Sequence, residues 1–326
     1  MKRRTFMKLS AGSVAAAVHR GAHPQGDTME AAPRPSAAVP RRAYGETPVE
    51  LSVIGFGGIV IANVEQRHAN RVVAQAVERG VNYFDVAPTY GDAEIKLGPA
   101  LEPYRKEVFL ACKTTQRQRA GAEDEFNRSL ERLRTDHFDL YQLHGLSDVQ
   151  NDLDPVFEKG GVMDLLLERK RAGQIRFLGF SAHSVETALT ALDRYDFDSV
   201  LFPVNFGCFY GGNFGPQVIQ KARKQGAARL ALKALALQRW KEGDPKREKY
   251  QKCWYEPITQ PDLAAKSLRW TLNQPVTAAI PPGEEELFWL AVDIASSSLE
   301  TAPGDAEELE TLARSLNVIF RAQETV

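Results

Sequence analysis

With 326 residues, 43% of them hydrophobic and 25% charged, the chain has the make-up of an ordinary globular protein with one large domain or two small ones. No apolar run reaches the roughly 18 residues of a membrane-spanning helix. The three cysteines, Cys112, Cys208 and Cys253, form neither a C-x-x-C pattern nor a disulfide framework, so no structural or iron–sulfur metal site is expected. The net charge of −1 conceals an asymmetry, because residues 1–42 hold eight Lys/Arg against two Asp/Glu and the remainder 33 basic against 40 acidic residues, which is no footprint for nucleic acid.

The N-terminus, M-K-R-R-T-F-M-K-L-S-A-G-S-V-A-A-A-V, begins basic and becomes small and weakly apolar, the layout of an export signal. Its core, R-R-T-F-M-K from Arg3 to Lys8, resembles the twin-arginine signal read by a transporter of folded proteins. The plainer alternative is a disordered basic tail. Residues 19–42, rich in Ala, Pro and Arg, are expected to be unstructured in either case. The expected organisation is therefore an export signal and linker over 1–42 and one domain over 43–326. The implied partner is the twin-arginine machinery and the implied location the periplasm, or the cytoplasm if the signal is not used.

From residue 50 onward, short apolar runs alternate with amphipathic segments. Strand-like runs occupy 51–58, 83–87, 108–114, 138–144, 175–181, 199–206, 228–235 and 276–282. Helical spacing places Val72, Val73, Ala76 and Val77 on one face of Ala69–Arg79, and Phe126, Leu130 and Leu133 on one face of Ala122–Leu133. Further helical patterns fall near 161–172, 184–194, 216–225, 262–273 and 284–297. Most strands are continuous apolar runs, as expected where both faces of a parallel sheet are buried. Eight such units in about 250 residues is the count and size of a (β/α)₈ TIM barrel. The rival, a doubly wound open sheet, would need a phosphate-binding turn such as G-x-G-x-x-G, and Gly55-Phe56-Gly57-Gly58-Ile59-Val60 lacks the last glycine.

Barrel active sites lie at the C-terminal ends of the strands. Several polar residues end otherwise apolar runs here: Asp85, with Tyr90 in the loop after it, then Lys113, His144, Ser181 and Asn205, with Lys233 late in its strand. A lone Asp at a strand end is more often a helix cap, and a lone His more often a satisfied core residue. Their joint placement on one rim favours chemistry. A buried Lys113 ammonium needs a partner, and Asp85 supplies one. The cation is expected to lower the Tyr90 pKa from about 10. Tyr90 could then exchange a proton with a carbonyl oxygen that becomes an alkoxide, while His144 orients that oxygen.

The segments carrying these residues resemble the aldo-keto reductase family. R-A-Y-G-E-T-P-V-E-L-S-V-I-G-F-G-G (42–58) resembles the family's opening hairpin, which caps the barrel bottom and leads into the first strand. D-V-A-P-T-Y-G (85–91), L-A-C-K-T (110–114) and L-Y-Q-L-H-G (140–145) resemble the motifs bearing its catalytic Asp, Tyr, Lys and His, here Asp85, Tyr90, Lys113 and His144. The resemblance covers about Arg42 to Leu299. It implies metal-free hydride transfer between NADP or NAD and an aldehyde or ketone, with a small-molecule carbonyl or alcohol as substrate. It also implies a monomer, the common state in the family. Gly57 would approach the nicotinamide ribose and Ser181 the carboxamide. Asp85, Asn205, Lys233, Pro282 and Gly283 complete the expected cofactor contacts.

There are departures from the family's pattern. The serine is followed by Ala182 and His183 where Asn is frequent, and Phe202 stands where Gln is often found. After the last strand, I-P-P-G-E-E-E-L-F-W (280–289) lacks the Lys, Ser and Arg that usually bind a 2′-phosphate. Gly283 and the helix start could still meet a phosphate through backbone N–H groups. Glu284, Glu285 and Glu286 would repel a further dianion, which tilts the expectation toward NAD(H). They also suit the first turn of a helix. The segment Ala236–Gln260 is long, basic and aromatic, and Trp240, Tyr250, Trp254 and Tyr255 could stack on a ring while Lys or Arg meets an anion. F-G-C-F-Y-G-G-N-F-G (206–215) is a second candidate rim loop. Two other functions fit less well. One is a cofactor-binding sensor or partner subunit with little turnover. The other is a Schiff-base lyase using Lys113.

Overall fold

The computed structural model describes residues 38–322. The twin-arginine reading therefore lies outside the described residues. Residues 38–42, grouped above with the linker, belong to the folded body. Val39 is buried and donates its N–H to Arg79 O at 2.9 Å.

The chain opens with an antiparallel hairpin, Arg41–Ala43 against Glu50–Ser52. Eight parallel strands follow: β1 (Phe56–Gly57), β2 (Tyr83–Asp85), β3 (Phe109–Thr114), β4 (Phe138–Leu146), β5 (Ile175–Ala182), β6 (Ser199–Pro203), β7 (Ala228–Leu232) and β8 (Ala278–Ile280). They pair in sequence order. A parallel bridge between Ile54 and Ala279 closes the ring, with Gly55 N donating to Ala279 O and Ala279 N to Val53 O. This is a (β/α)₈ barrel, with the hairpin across its N-terminal end. The first expected strand, 51–58, divides between the hairpin and β1.

The helices are α1 (Gln66–Glu78), α2 (Ala93–Leu101), α3 (Arg119–Leu133), α4 (Val162–Arg171), α5 (Val185–Arg194), α6 (Pro216–Lys224), α7 (Pro261–Asn273), α8 (Glu285–Ser297) and α9 (Asp305–Ala313). Helical spacing marks seven of them in the sequence; α2 and α9 escape it. No helix among the described residues is long and apolar enough to cross a membrane.

Strand geometry decides what reaches the rim. Side chains alternate between the two faces of a strand. Outward residues such as Phe84, Leu110, Cys112, Tyr141 and Phe180 pack under the helices in one core layer. Inward residues Tyr83, Phe109, Ala111, Leu140, Leu201, Leu230 and Ala278 fill the barrel itself, joined from below by Tyr44 of the hairpin. The same inward rows end, at the C-terminal rim, on Asp85, Lys113, His144 and Ser181.

Candidate active site

At that rim lies a cavity of about 210 Å³. It is bordered by Gly57, Asp85, Tyr90, Lys113, His144, Ser181, Lys233, Pro282 and Gly283, so every sequence-derived candidate but one reaches it. The exception is Asn205. Its side-chain oxygen accepts from Cys208 N at 2.8 Å and its amide nitrogen faces Cys208 Sγ at 3.5 Å, so it caps the next turn instead. Phe202 points outward and stacks on Phe214 with centroids 4.8 Å apart. As an outward residue of β6 it could not face the cavity whatever its identity.

Asp85 and Lys113 are buried and bonded to each other. Lys113 Nζ also donates to Val86 O at 3.1 Å. The second Asp85 oxygen accepts from Gln142 Nε2 at 2.9 Å and Tyr83 Oη at 3.2 Å. Gln142 and Tyr83 were not singled out from the sequence. Each sits two residues before a candidate, at the spacing that shares a strand face. Burial draws the Lys113 pKa down, but Asp85 and Tyr90 more than offset it, and the net direction is up. A lysine held as ammonium does not form a Schiff base readily.

The Tyr90 ring lies 5.5 Å from Lys113 Nζ and meets the His144 imidazole edge-on at 5.9 Å. The expected lowering of its pKa is not what the structure gives. Burial of the phenol raises the value more than Lys113 lowers it, and Asp85 adds to the rise. The group is thus a protonated phenol at neutral pH. Burial, assisted by Lys113, holds His144 neutral, with its pKa lowered to about 3. Its backbone carbonyl is gripped by Arg117 at 2.8 Å, while Nδ1 is buried with no partner among the described residues.

Ser181 Oγ accepts from Gly145 N at 2.8 Å, which leaves its own proton free to donate. Gly283 packs so closely that a Cβ there would stand 2.6 Å from Ile59 Cγ2. The glutamates after it are all engaged: Glu284 accepts from Lys252 N at 2.8 Å, Glu285 faces His68 Nε2 at 2.6 Å, and Glu286 pairs with Lys249 at 2.8 Å.

The long segment after β7 folds over this rim on a short antiparallel stem, Ala236–Gln238 with Glu256–Pro257. Its aromatic residues divide. Trp254 and Tyr255 border the cavity. Tyr250 and Trp240 turn away and pack with Cys253, Leu287 and Leu290. Lys252, also on the border, donates its ammonium to Val60 O at 2.7 Å.

An inward Asp–Lys pair, a phenol and a neutral imidazole at the top of a (β/α)₈ barrel define a site for proton transfer at a polarised oxygen. Residues 53–254 match the model of the Aldo/keto reductase family, and the chain belongs to that family. The aldo-keto reductase YhdN of Bacillus subtilis is 32% identical over 163 residues, 44% of this chain and 47% of that protein. L-galactose dehydrogenase of Arabidopsis thaliana is 29% identical over 191 residues, 53% and 57% respectively. The chain thus spans about half the length of the curated relatives it matches. A solved aldo-keto reductase from Pseudomonas aeruginosa superposes with a TM-score of 0.62 at 26% identity, covering 80% of this chain and 95% of that one. The holo form of an aldo-keto reductase from Bacillus halodurans shares the fold, with a TM-score of 0.66 at 19% identity over 87% and 98% of the two chains.

Proposed function

We propose that this chain reduces aldehydes or ketones, and oxidises the corresponding alcohols, with a nicotinamide cofactor. The observation that carries the reading is the convergence of Asp85, Lys113, Tyr90 and His144 on one cavity. The bound cofactor would supply or take up the hydride at the carbonyl carbon. The residues around it fit that group: Ser181 offers a free hydroxyl proton, and Gly57 and Gly283 leave the backbone uncovered on the border.

The side chains divide the remaining work. Tyr90, kept protonated by burial, donates to the carbonyl oxygen as negative charge develops on it. The Lys113 ammonium, fixed by Asp85, stabilises the phenolate left behind. Neutral His144 donates a hydrogen bond to the same oxygen through whichever ring nitrogen carries its proton. In alcohol oxidation each step reverses.

The test is Tyr90→Phe. It should lower carbonyl reduction by about 10²- to 10⁴-fold and leave cofactor titration within about twofold. Equal loss of both would make Tyr90 a structural residue and sink the assignment.

We also propose a preference for NAD(H). The start of α8 presents three glutamates and no free cation, since Lys249 is tied to Glu286 and His68 to Glu285. A 2′-phosphate there would meet uncompensated negative charge. NADH should bind at least about tenfold more tightly than NADPH, about 1.4 kcal/mol, in a fluorescence titration. The reverse order would overturn the preference.

Export as a folded protein with its cofactor aboard is a further proposal, resting on residues 1–42 alone. Recovery of near-stoichiometric nucleotide, by mass spectrometry, from protein isolated from the periplasm would support it. Cytoplasmic protein with an intact N-terminus would not.

A further inference from the structure

One cation in the cavity has no part in the chemistry above. Lys233 follows β7 and borders the cavity. Among the described residues its ammonium has neither a carboxylate partner nor a hydrogen-bond acceptor. It stands instead over two aromatic faces, 5.4 Å from the Trp254 ring and 4.9 Å from the Tyr255 ring. Both rings come from the segment that folds over the rim. A partly buried cation without an anion is unfavourable, and cation–π contact offsets part of that deficit.

The backbone at this position is also unusual. Lys233 has φ +64°, one of four non-glycine residues with positive φ among those described, and the only one of them on the cavity. The left-handed region is uncommon for a side chain that does not bond locally to its own backbone. Such conformations persist where surrounding structure enforces them, and they gather at binding sites.

The charge of the cavity points the same way. Asp85 is its one carboxylate, and Lys113 already neutralises it. Lys233 and Lys252 are left over. These two lysines face different parts of the cavity. Lys252 lies against Gly283 and under the field of Glu284 and Glu285, at the start of α8. Lys233 acts on the other side, where its charge helps keep both His144 and His183 neutral. His144 is where the carbonyl oxygen is placed.

We infer that Lys233, framed by Trp254 and Tyr255, anchors an anionic group, a carboxylate or phosphate, carried by the carbonyl substrate. The inference rests on the carbonyl-reductase reading and narrows its substrates to anionic carbonyl compounds. The same chemistry could also serve the diphosphate of the cofactor, and the experiment separates the two.

The full-length protein is assayed at saturating cofactor with 4-carboxybenzaldehyde and with its neutral methyl ester. Lys233→Met keeps length and removes charge, and Lys233→Arg restores charge. Lys233→Met should lower kcat/KM for the acid by at least about tenfold, chiefly through KM, and change the ester less than twofold. Lys233→Arg should recover most of the loss. Equal losses on acid and ester, with weakened cofactor titration, would assign the ammonium to the cofactor and overturn the inference. No change on either aldehyde would overturn it as well.

A readout independent of turnover keeps this separate from the carbonyl-reductase reading. Terephthalate, which cannot be reduced by hydride transfer here, is titrated against tryptophan fluorescence, with Trp254→Phe identifying the signal from beside the ammonium. A saturable change lost in Lys233→Met supports the anchor even if neither aldehyde turns over, in which case the reductase reading alone fails. Absence of that change, with acid and ester reduced equally well, removes the anchor and leaves the reductase reading intact.

Discussion

Asp85 and Lys113 carry opposite charges in a part of the barrel closed to water, and neither tolerates the loss of the other. Removing one partner of a buried pair leaves an uncompensated charge and costs about 3–5 kcal/mol. Asp85→Asn and Lys113→Met should each lose stability on that scale by urea unfolding. The double variant should lose clearly less than the sum, because no charge is then stranded. Its activity should stay low, since the lysine acts on Tyr90 and not only on the fold. Additive losses would mean the pair is not coupled. His144 carries a different signature. Its pKa of about 3 keeps it neutral through the ordinary range. With the neutral ester aldehyde, kcat/KM for reduction should therefore show no inflection near the usual histidine value of about 6.5. A titration there would place a protonating imidazole in the mechanism. Much of this site was legible in the sequence, because each of Asp85, Tyr90, Lys113 and His144 ends an apolar run within a recognisable segment. Gln142 and Tyr83 were harder to read. Inside a strand buried on both faces, nothing in the local pattern marks which alternate residues point inward. Lys233 was legible as a rim residue, but its aromatic frame comes from Trp254 and Tyr255, across a loop whose path no local spacing records.

At the scale of elements, α2 shows why helical spacing can fail. It contains Gly98 and Pro99, residues that ordinarily break a helix. Both have reasons to be there. A Cβ on Gly98 would stand 2.1 Å from Arg132 O, so the glycine lets α2 settle onto the end of α3. Pro99 lies late in a nine-residue helix, where its ring removes a single bond. The contact is reinforced by Glu94 of α2, buried and bonded to Arg132 Nη1 at 3.1 Å and to Ser129 of α3. Gly98→Ala should therefore destabilise the protein by about 1–3 kcal/mol or more through overpacking, although alanine is the better helix former. Calorimetry would read this as a lower Tm with unchanged cofactor titration. A higher Tm would show that propensity wins over the close approach. The rest of the element pattern was readable because the barrel repeats: β2 to β8 lie within the expected apolar runs, give or take a residue or two at the ends. Where the chain leaves the repeat, local pattern gives little. The hairpin took half of one expected strand, α9 follows the last unit, and the segment over the rim is held by single contacts such as Lys252 to Val60, 192 residues apart.

For the whole molecule, the two ends of the barrel have opposite duties. The C-terminal end must stay open enough to admit ligands, so its inward residues are polar and partly uncovered. The N-terminal end has no such need and is sealed by the hairpin. Tyr44 is fully buried there, with rings of Phe109 and Phe177 at 5.2 and 5.0 Å. Arg42 ties the hairpin down by donating to Leu272 O at 2.6 Å and Val276 O at 3.1 Å. Tyr44 Oη is buried without a partner among the described residues, so the ring and not the hydroxyl makes the seal. Tyr44→Ala should cost about 3–5 kcal/mol, as for other buried aromatic truncations, and lower Tm on the order of 10 °C. Tyr44→Phe should be neutral or slightly stabilising, because it deletes an unsatisfied buried group. Both variants, measured well below their Tm, should keep kcat/KM within a few-fold. The inward layers of Ala111, Leu140, Leu201 and Leu230 stand between the seal and the Asp85–Lys113 pair and isolate one end from the other. A Tyr44→Phe variant destabilised as much as Tyr44→Ala would mean that the hydroxyl holds the hairpin. A Tyr44→Ala variant that stayed folded but lost carbonyl reduction would mean that the two ends are coupled through the barrel interior.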